Sequence, residues 1–143
     1  MKNETRGFTL IETLLVLLIL MIVTAVVMTF SFKQWQESQY EEAIEKFKMT
    51  LYQAQMVAKQ EQTWVNVYVV EQKYVKTGRS FLNYDTTWAI PDGMAINIYT
   101  NQTYITFNPL GGVKELGKVE FITPTKKISY SINMSKGRLR LIE

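Results

Sequence analysis

The sequence predicts an α+β fold, with one long N-terminal helix and a C-terminal antiparallel sheet. Three observations carry this. Residues 13–32 hold no charge. Neither Gly nor Pro occurs from Phe8 through Thr77, so nothing breaks a helix there. Beyond Gln62 the apolar pattern changes from helical spacing to strict alternation.

The 143 residues are 47% hydrophobic and 20% charged, which excludes a disordered chain. There is no histidine and no cysteine. That composition excludes a cysteine nucleophile, a disulfide and a Ser-His-Asp triad, and argues against an enzyme. No cofactor and no metal site is expected. Asp85, Asp92 and Asn83 lack the spacing of a calcium loop, and a turn accounts for them. The net charge of +3 falls in blocks: zero over residues 1–12, −1 over 33–62 and +4 over 63–143.

Thirteen of the twenty residues from Thr13 to Phe32 are Leu, Ile, Val or Phe. Their insertion into a bilayer is favourable by roughly 4–8 kcal/mol. A helix of that length spans about 30 Å, the thickness of the hydrocarbon core. Lys2 and Arg6 precede the run, whereas Glu37, Glu41 and Glu42 follow Lys33. The positive-inside rule therefore predicts a single pass with the N-terminus in the cytoplasm and the head outside. No small-residue cleavage site follows the run, so the segment is expected to stay with the mature protein.

After the apolar run, Tyr40, Ile44, Phe47, Leu51, Ala54 and Ala58 recur at steps of four and three. This stripe predicts an amphipathic neck helix over 33–62 that packs on the head, with side-chain pairs Glu42–Lys46 and Glu45–Lys48. In the head, 63–143, alternation marks strands at 64–70, 94–99, 104–107, 119–123, 127–134 and 138–142. Turns are expected at Pro91-Asp92-Gly93, Asn108–Gly112 and Ser135-Lys136-Gly137. The stretch 77–89 has no clean period and reads as a loop.

The residues before the apolar run are Arg6-Gly7-Phe8-Thr9-Leu10-Ile11-Glu12. This segment resembles the class III prepilin leader of type IV pilins and type II secretion pseudopilins. The resemblance implies a leader peptide over 1–7, cleaved between Gly7 and Phe8 by a prepilin peptidase, with N-methylation of Phe8. It implies that residues 8–32 form a membrane-spanning and filament-core helix and that other major and minor pilins are partners. It also gives Phe8 and Glu12 a role in filament assembly. A carboxylate at the bilayer interior costs about 2.5–3.5 kcal/mol. The cationic amine of Phe8 on a neighbouring subunit would offset that cost. An acid at a helix N-terminus is the plainer alternative, contributing under ~1 kcal/mol. Many major pilins carry a proline about twenty residues after cleavage; this chain has Val27, Met28 and Thr29 there.

Phe107-Asn108-Pro109, Gly111-Gly112 and the run Ser135–Leu141 resemble H-type minor pseudopilins and the D-type minor pilin of the Gram-positive competence pilus. That resemblance implies a minor pilin of the cell membrane and cell-surface pilus, acting in binding and uptake of transforming DNA. The absence of cysteine suits a Gram-positive protein. The alternatives are a type II secretion pseudopilin and a membrane-anchored DNA-binding module that does not polymerise. Lys126, Lys127, Lys136, Arg138 and Arg140 crowd the last two strands and are candidate DNA contacts. A solvated sheet face, with basic residues guarding an edge strand, is the plainer reading of the same charges.

Overall fold

The structure is a computed structural model that describes residues 9–80, 83–132 and 139–142. Helix α1 runs Leu10–Gln60. Eight strands follow: β1 Val65–Val70, β2 Tyr74–Ser80, β3 Asn83–Ala89, β4 Ala95–Tyr99, β5 Tyr104–Phe107, β6 Gly117–Ile122, β7 Lys127–Ile132 and β8 Leu139–Ile142. The chain divides into two compact units, Met1–Ser38 and Gln39–Glu143.

In the first unit, the helical residues from Leu10 to Phe32 are all exposed. The helix is long and apolar enough to cross a membrane. Three of its threonines hydrogen-bond to their own backbone. Thr13 Oγ1 donates to Leu10 O at 2.8 Å, Thr29 Oγ1 donates to Ala25 O at 2.6 Å, and Thr24 Oγ1 donates to Leu20 O. Each of these hydroxyls thereby has a partner on its own helix, so none would be bare in an apolar medium.

In the second unit, the predicted stripe is the buried face of the helix. Tyr40, Ile44, Phe47, Leu51, Ala54 and Ala58 are each at most 5% exposed, joined by Ala43 and Thr50. They pack against two four-stranded antiparallel sheets, β3-β2-β1-β5 and β4-β6-β7-β8. Val65, Val67, Val75, Ile105 and Phe107 supply the first sheet's inner face; Ile96, Val119, Phe121 and Ile132 supply the second's. The Phe47 and Phe121 rings meet edge to face, with centroids 5.4 Å apart. Alternation along each strand sets these residues inward and their polar neighbours outward, as a one-sided sheet requires.

The expected loop over 77–89 is instead most of a hairpin, β2 paired with β3. Two effects hide it. The register shifts between Thr77 and Gly78 and again between Gly78 and Ser80, which breaks the period of two. Strand β3 lies at a sheet edge, and among residues 85–89 only Trp88 is buried, so no apolar alternation appears in the sequence.

The turn between β1 and β2 is Glu71-Gln72, both at positive φ (52° and 54°), with Lys73 N donating to Val70 O at 3.0 Å. Non-glycine residues in that region are strained, by about 1 kcal/mol or more each. Gln72 offsets this by joining the sheets: Ile96 N donates to its Oε1 at 2.9 Å, and its Nε2 donates to Asn97 Oδ1 at 3.1 Å. The Asn108–Gly112 turn forms as expected. Asn108 Oδ1 accepts from Leu110 N at 3.0 Å and from Gly112 N at 2.9 Å. Gly111 has φ 80°, and a Cβ there would lie 2.5 Å from Lys59 Cδ. The Ser135-Lys136-Gly137 turn lies outside the described residues, although β7 and β8 pair antiparallel around it, Ile132 facing Leu139.

Candidate functional site

Of the residues expected to act in filament assembly, Glu12 stands in the first turn of α1. Gly7 and Phe8 lie outside the described residues. Thr9 precedes the helix, and Glu12 is three residues further on. Glu12 N donates to Thr9 Oγ1 at 3.4 Å, and Thr13 N donates to Thr9 O at 3.2 Å. Thr9-x-x-Glu12 has the spacing of a capping box, so Thr9 caps the helix and Glu12 stands where a carboxylate faces the positive end of the helix dipole. The sequence carries this signal in the Thr-Glu spacing, but the leader pattern overlaps it. Glu12 is exposed, with room for a partner from another chain.

Among the described residues, the basic candidates have different partners. Lys126 Nζ donates to Glu41 Oε1 on α1 at 3.0 Å. Lys127 Nζ lies 2.9 Å from Glu120 Oε2. Arg140 is exposed on β8, opposite Ser131. Lys136 and Arg138 lie outside the described residues. On the helix, Lys48 pairs with Glu45 at 2.7 Å as expected. Lys46 makes no ion pair with Glu42 and instead holds its ammonium 5.2 Å from the Trp88 ring centre.

The second sheet's outer face holds a group that composition alone does not reveal. Val119 and Phe121 point inward and are fully buried, so Lys118 and Glu120 point outward. Glu120 is nonetheless only 4% exposed. Lys118 Nζ lies 2.5 Å from its Oε1, and Lys127 Nζ lies 2.9 Å from its Oε2. These two ammonium groups, with Tyr99 beside them, hold the Glu120 carboxyl down to about 2, against the desolvation that would raise it. Lys127 is raised in turn by Glu120. The signal is the β6–β7 register. Ile122 faces Lys127 and Glu120 faces Ser129, which sets Lys127 diagonal to Glu120 on one face.

Comparison with known proteins agrees with both halves of the chain. Residues 2–28 match the family of the prokaryotic N-terminal methylation motif. No curated protein sequence matches the chain. Among solved structures, the chain is similar to the type IV minor pilin FimU of Pseudomonas aeruginosa, with a TM-score of 0.63 and 13% identity over 76% of this chain and 91% of that one. It is also similar to the minor pseudopilin EpsH from the type 2 secretion system of Vibrio cholerae, with a TM-score of 0.56 and 11% identity over 73% of this chain and 96% of that one. The chain thus carries an N-terminal methylation motif ahead of a fold shared with type IV minor pilins and pseudopilins.

Proposed function

We propose that this chain is a minor pilin-class subunit of an extracytoplasmic filament, and that it acts in a competence pilus that binds and takes up transforming DNA. The observation that carries the filament reading is an apolar helical segment, wholly unburied by its own chain, directly behind a prepilin-type leader. Such a surface needs a lipid or protein environment. In this reading residues 1–7 are removed, Phe8 becomes the methylated N-terminus, and residues 8–32 pass from the membrane into a filament core. Residues 33–62 form the neck and 63–143 the head, with the N-terminus cytoplasmic before cleavage. Its action is assembly rather than catalysis. Support for competence comes from the head's sequence resemblance to the D-type competence pilin and from a cysteine-free composition that suits a Gram-positive exported protein.

A type II secretion role is the second reading, favoured by the shared fold with a secretion pseudopilin. Deletion of the gene separates the two. A fall in transformation with secretion intact supports the competence reading. A fall in secreted protein with transformation intact supports the other.

A further inference from the structure

We propose that the outer face of the second sheet binds the phosphodiester backbone of DNA through Lys118, Lys127 and Arg140, with Glu120 as the positioning residue. The proposal rests on the competence reading and places its DNA contact. It replaces a diffuse count of basic residues with one face.

Strand pairing aligns the groups. Tyr99 faces Lys118, Lys118 faces Ser131, and Ser131 faces Arg140, a single row across β4, β6, β7 and β8. Neighbouring strands are about 4.8 Å apart, so Lys118 and Arg140 stand about 10 Å from each other. Glu120 lies one position along on the same face, between Lys118 and Lys127. Its buried carboxylate holds both ammonium groups by one side. A lysine ammonium has three donors, so each keeps hydrogens for an incoming phosphate oxygen. The side chains of Lys118 and Lys127 remain 42% and 57% exposed, and Arg140 is exposed as well. Among the described residues the face carries three cations and one carboxylate, so two positive charges stay uncompensated. Ser129 and Ser131 add hydroxyls to this face, beside Ile142. Tyr99 is 52% exposed beside Lys118 and offers a ring on which an unpaired base can stack, which favours DNA over a phosphate polymer without bases. Lys126 has no part in this, because it is turned to Glu41.

The test uses the full chain in detergent micelles and a fluorescein-labelled DNA oligonucleotide read by polarisation. Affinity should fall with salt at a logarithmic slope of about −2 to −3, the value for three phosphate contacts. Combining Lys118→Ala, Lys127→Ala and Arg140→Ala with Glu120→Gln avoids stranding a buried carboxylate and lowers the net charge by two. Lys73→Ala with Lys114→Ala lowers it equally, elsewhere on the head. The first variant should lose at least tenfold in affinity and the second should stay near wild type. Equal loss in both would overturn the proposal, because net charge alone would then explain binding. Tighter binding of a glycerol-phosphate polymer than of DNA would overturn the assignment to DNA. Absence of binding at low salt, with the protein still present in sheared filaments, would overturn the proposal and leave the filament reading standing.

Discussion

Trp88 Nε1 donates a buried hydrogen bond to Thr50 Oγ1 at 3.0 Å, and Thr50 Oγ1 donates onward to Lys46 O at 2.8 Å. The contact ties the edge strand β3 to the helix, and Lys46 closes over the same indole. Thr50→Val keeps the shape and removes the acceptor. The orphaned indole N–H should cost about 1–3 kcal/mol. For a domain near 100 residues each kcal/mol corresponds to about 4–8 °C in melting temperature. Thr87→Val, exposed on the same strand, should change the melting temperature little. Equal melting of Thr50→Val and wild type would show that the bond contributes nothing net.

Much of this architecture is legible in the sequence alone. The stripe from Tyr40 to Ala58 identifies the buried helix face because a helix repeats every 3.6 residues and six apolar positions follow that period. Strands β4 to β7 are legible because each packs one face on the core. Strands β2 and β3 escape where bulges and an exposed edge erase alternation. The Glu120 cluster depends on how β6 and β7 slide past each other, a register that composition does not report. The capping relation of Thr9 to Glu12 is readable but coincides with the leader motif.

Acid should unlock the Glu120 cluster. Its carboxyl lies at about 2 in the folded head, against 4.5 for an ordinary glutamate. A depressed carboxyl stabilises the fold above its unfolded value and loses that contribution as pH falls toward the folded one. The head should therefore lose stability between about pH 4.5 and 2. Glu120→Gln should be less stable than wild type at neutral pH, with the gap closing toward pH 2. Melting curves across that range check it, and a gap independent of pH would contradict it.

Residues 33–143 alone should give a soluble folded head. The unit Gln39–Glu143 has its own core, and Phe47 and Phe121 at its centre are fully buried. The most continuous run of exposed apolar residues, 10–32, is removed. A structured near-ultraviolet spectrum and cooperative melting are expected. Phe47→Ala in this head should cost about 3–5 kcal/mol. A flat spectrum of the unmutated head would show that the core does not stand by itself.

Glu12 is expected to have two separable roles, one at the helix start and one in assembly. Glu12→Gln keeps a side chain suited to the capping box and removes the charge, whereas Glu12→Ala removes both. Membrane insertion should be unharmed in both, because neither carries the charge whose burial costs about 2.5–3.5 kcal/mol. Incorporation into filaments should fall in both, because a neighbour's amine is left buried without its partner, at about 3–5 kcal/mol. Immunoblots of sheared filaments against the membrane fraction measure this. Normal incorporation of Glu12→Gln would reduce Glu12 to a helix-start residue.

If this chain is a processed pilin-class subunit, its N-terminus records the processing. Intact mass spectrometry of protein extracted from membranes of cells with an active prepilin peptidase should show a chain that begins at Phe8 and carries one methyl group. Replacing Gly7 by a bulky residue should leave the precursor uncut in the membrane. A mature chain that still begins at Met1 in those cells would show that it is not processed as a pilin.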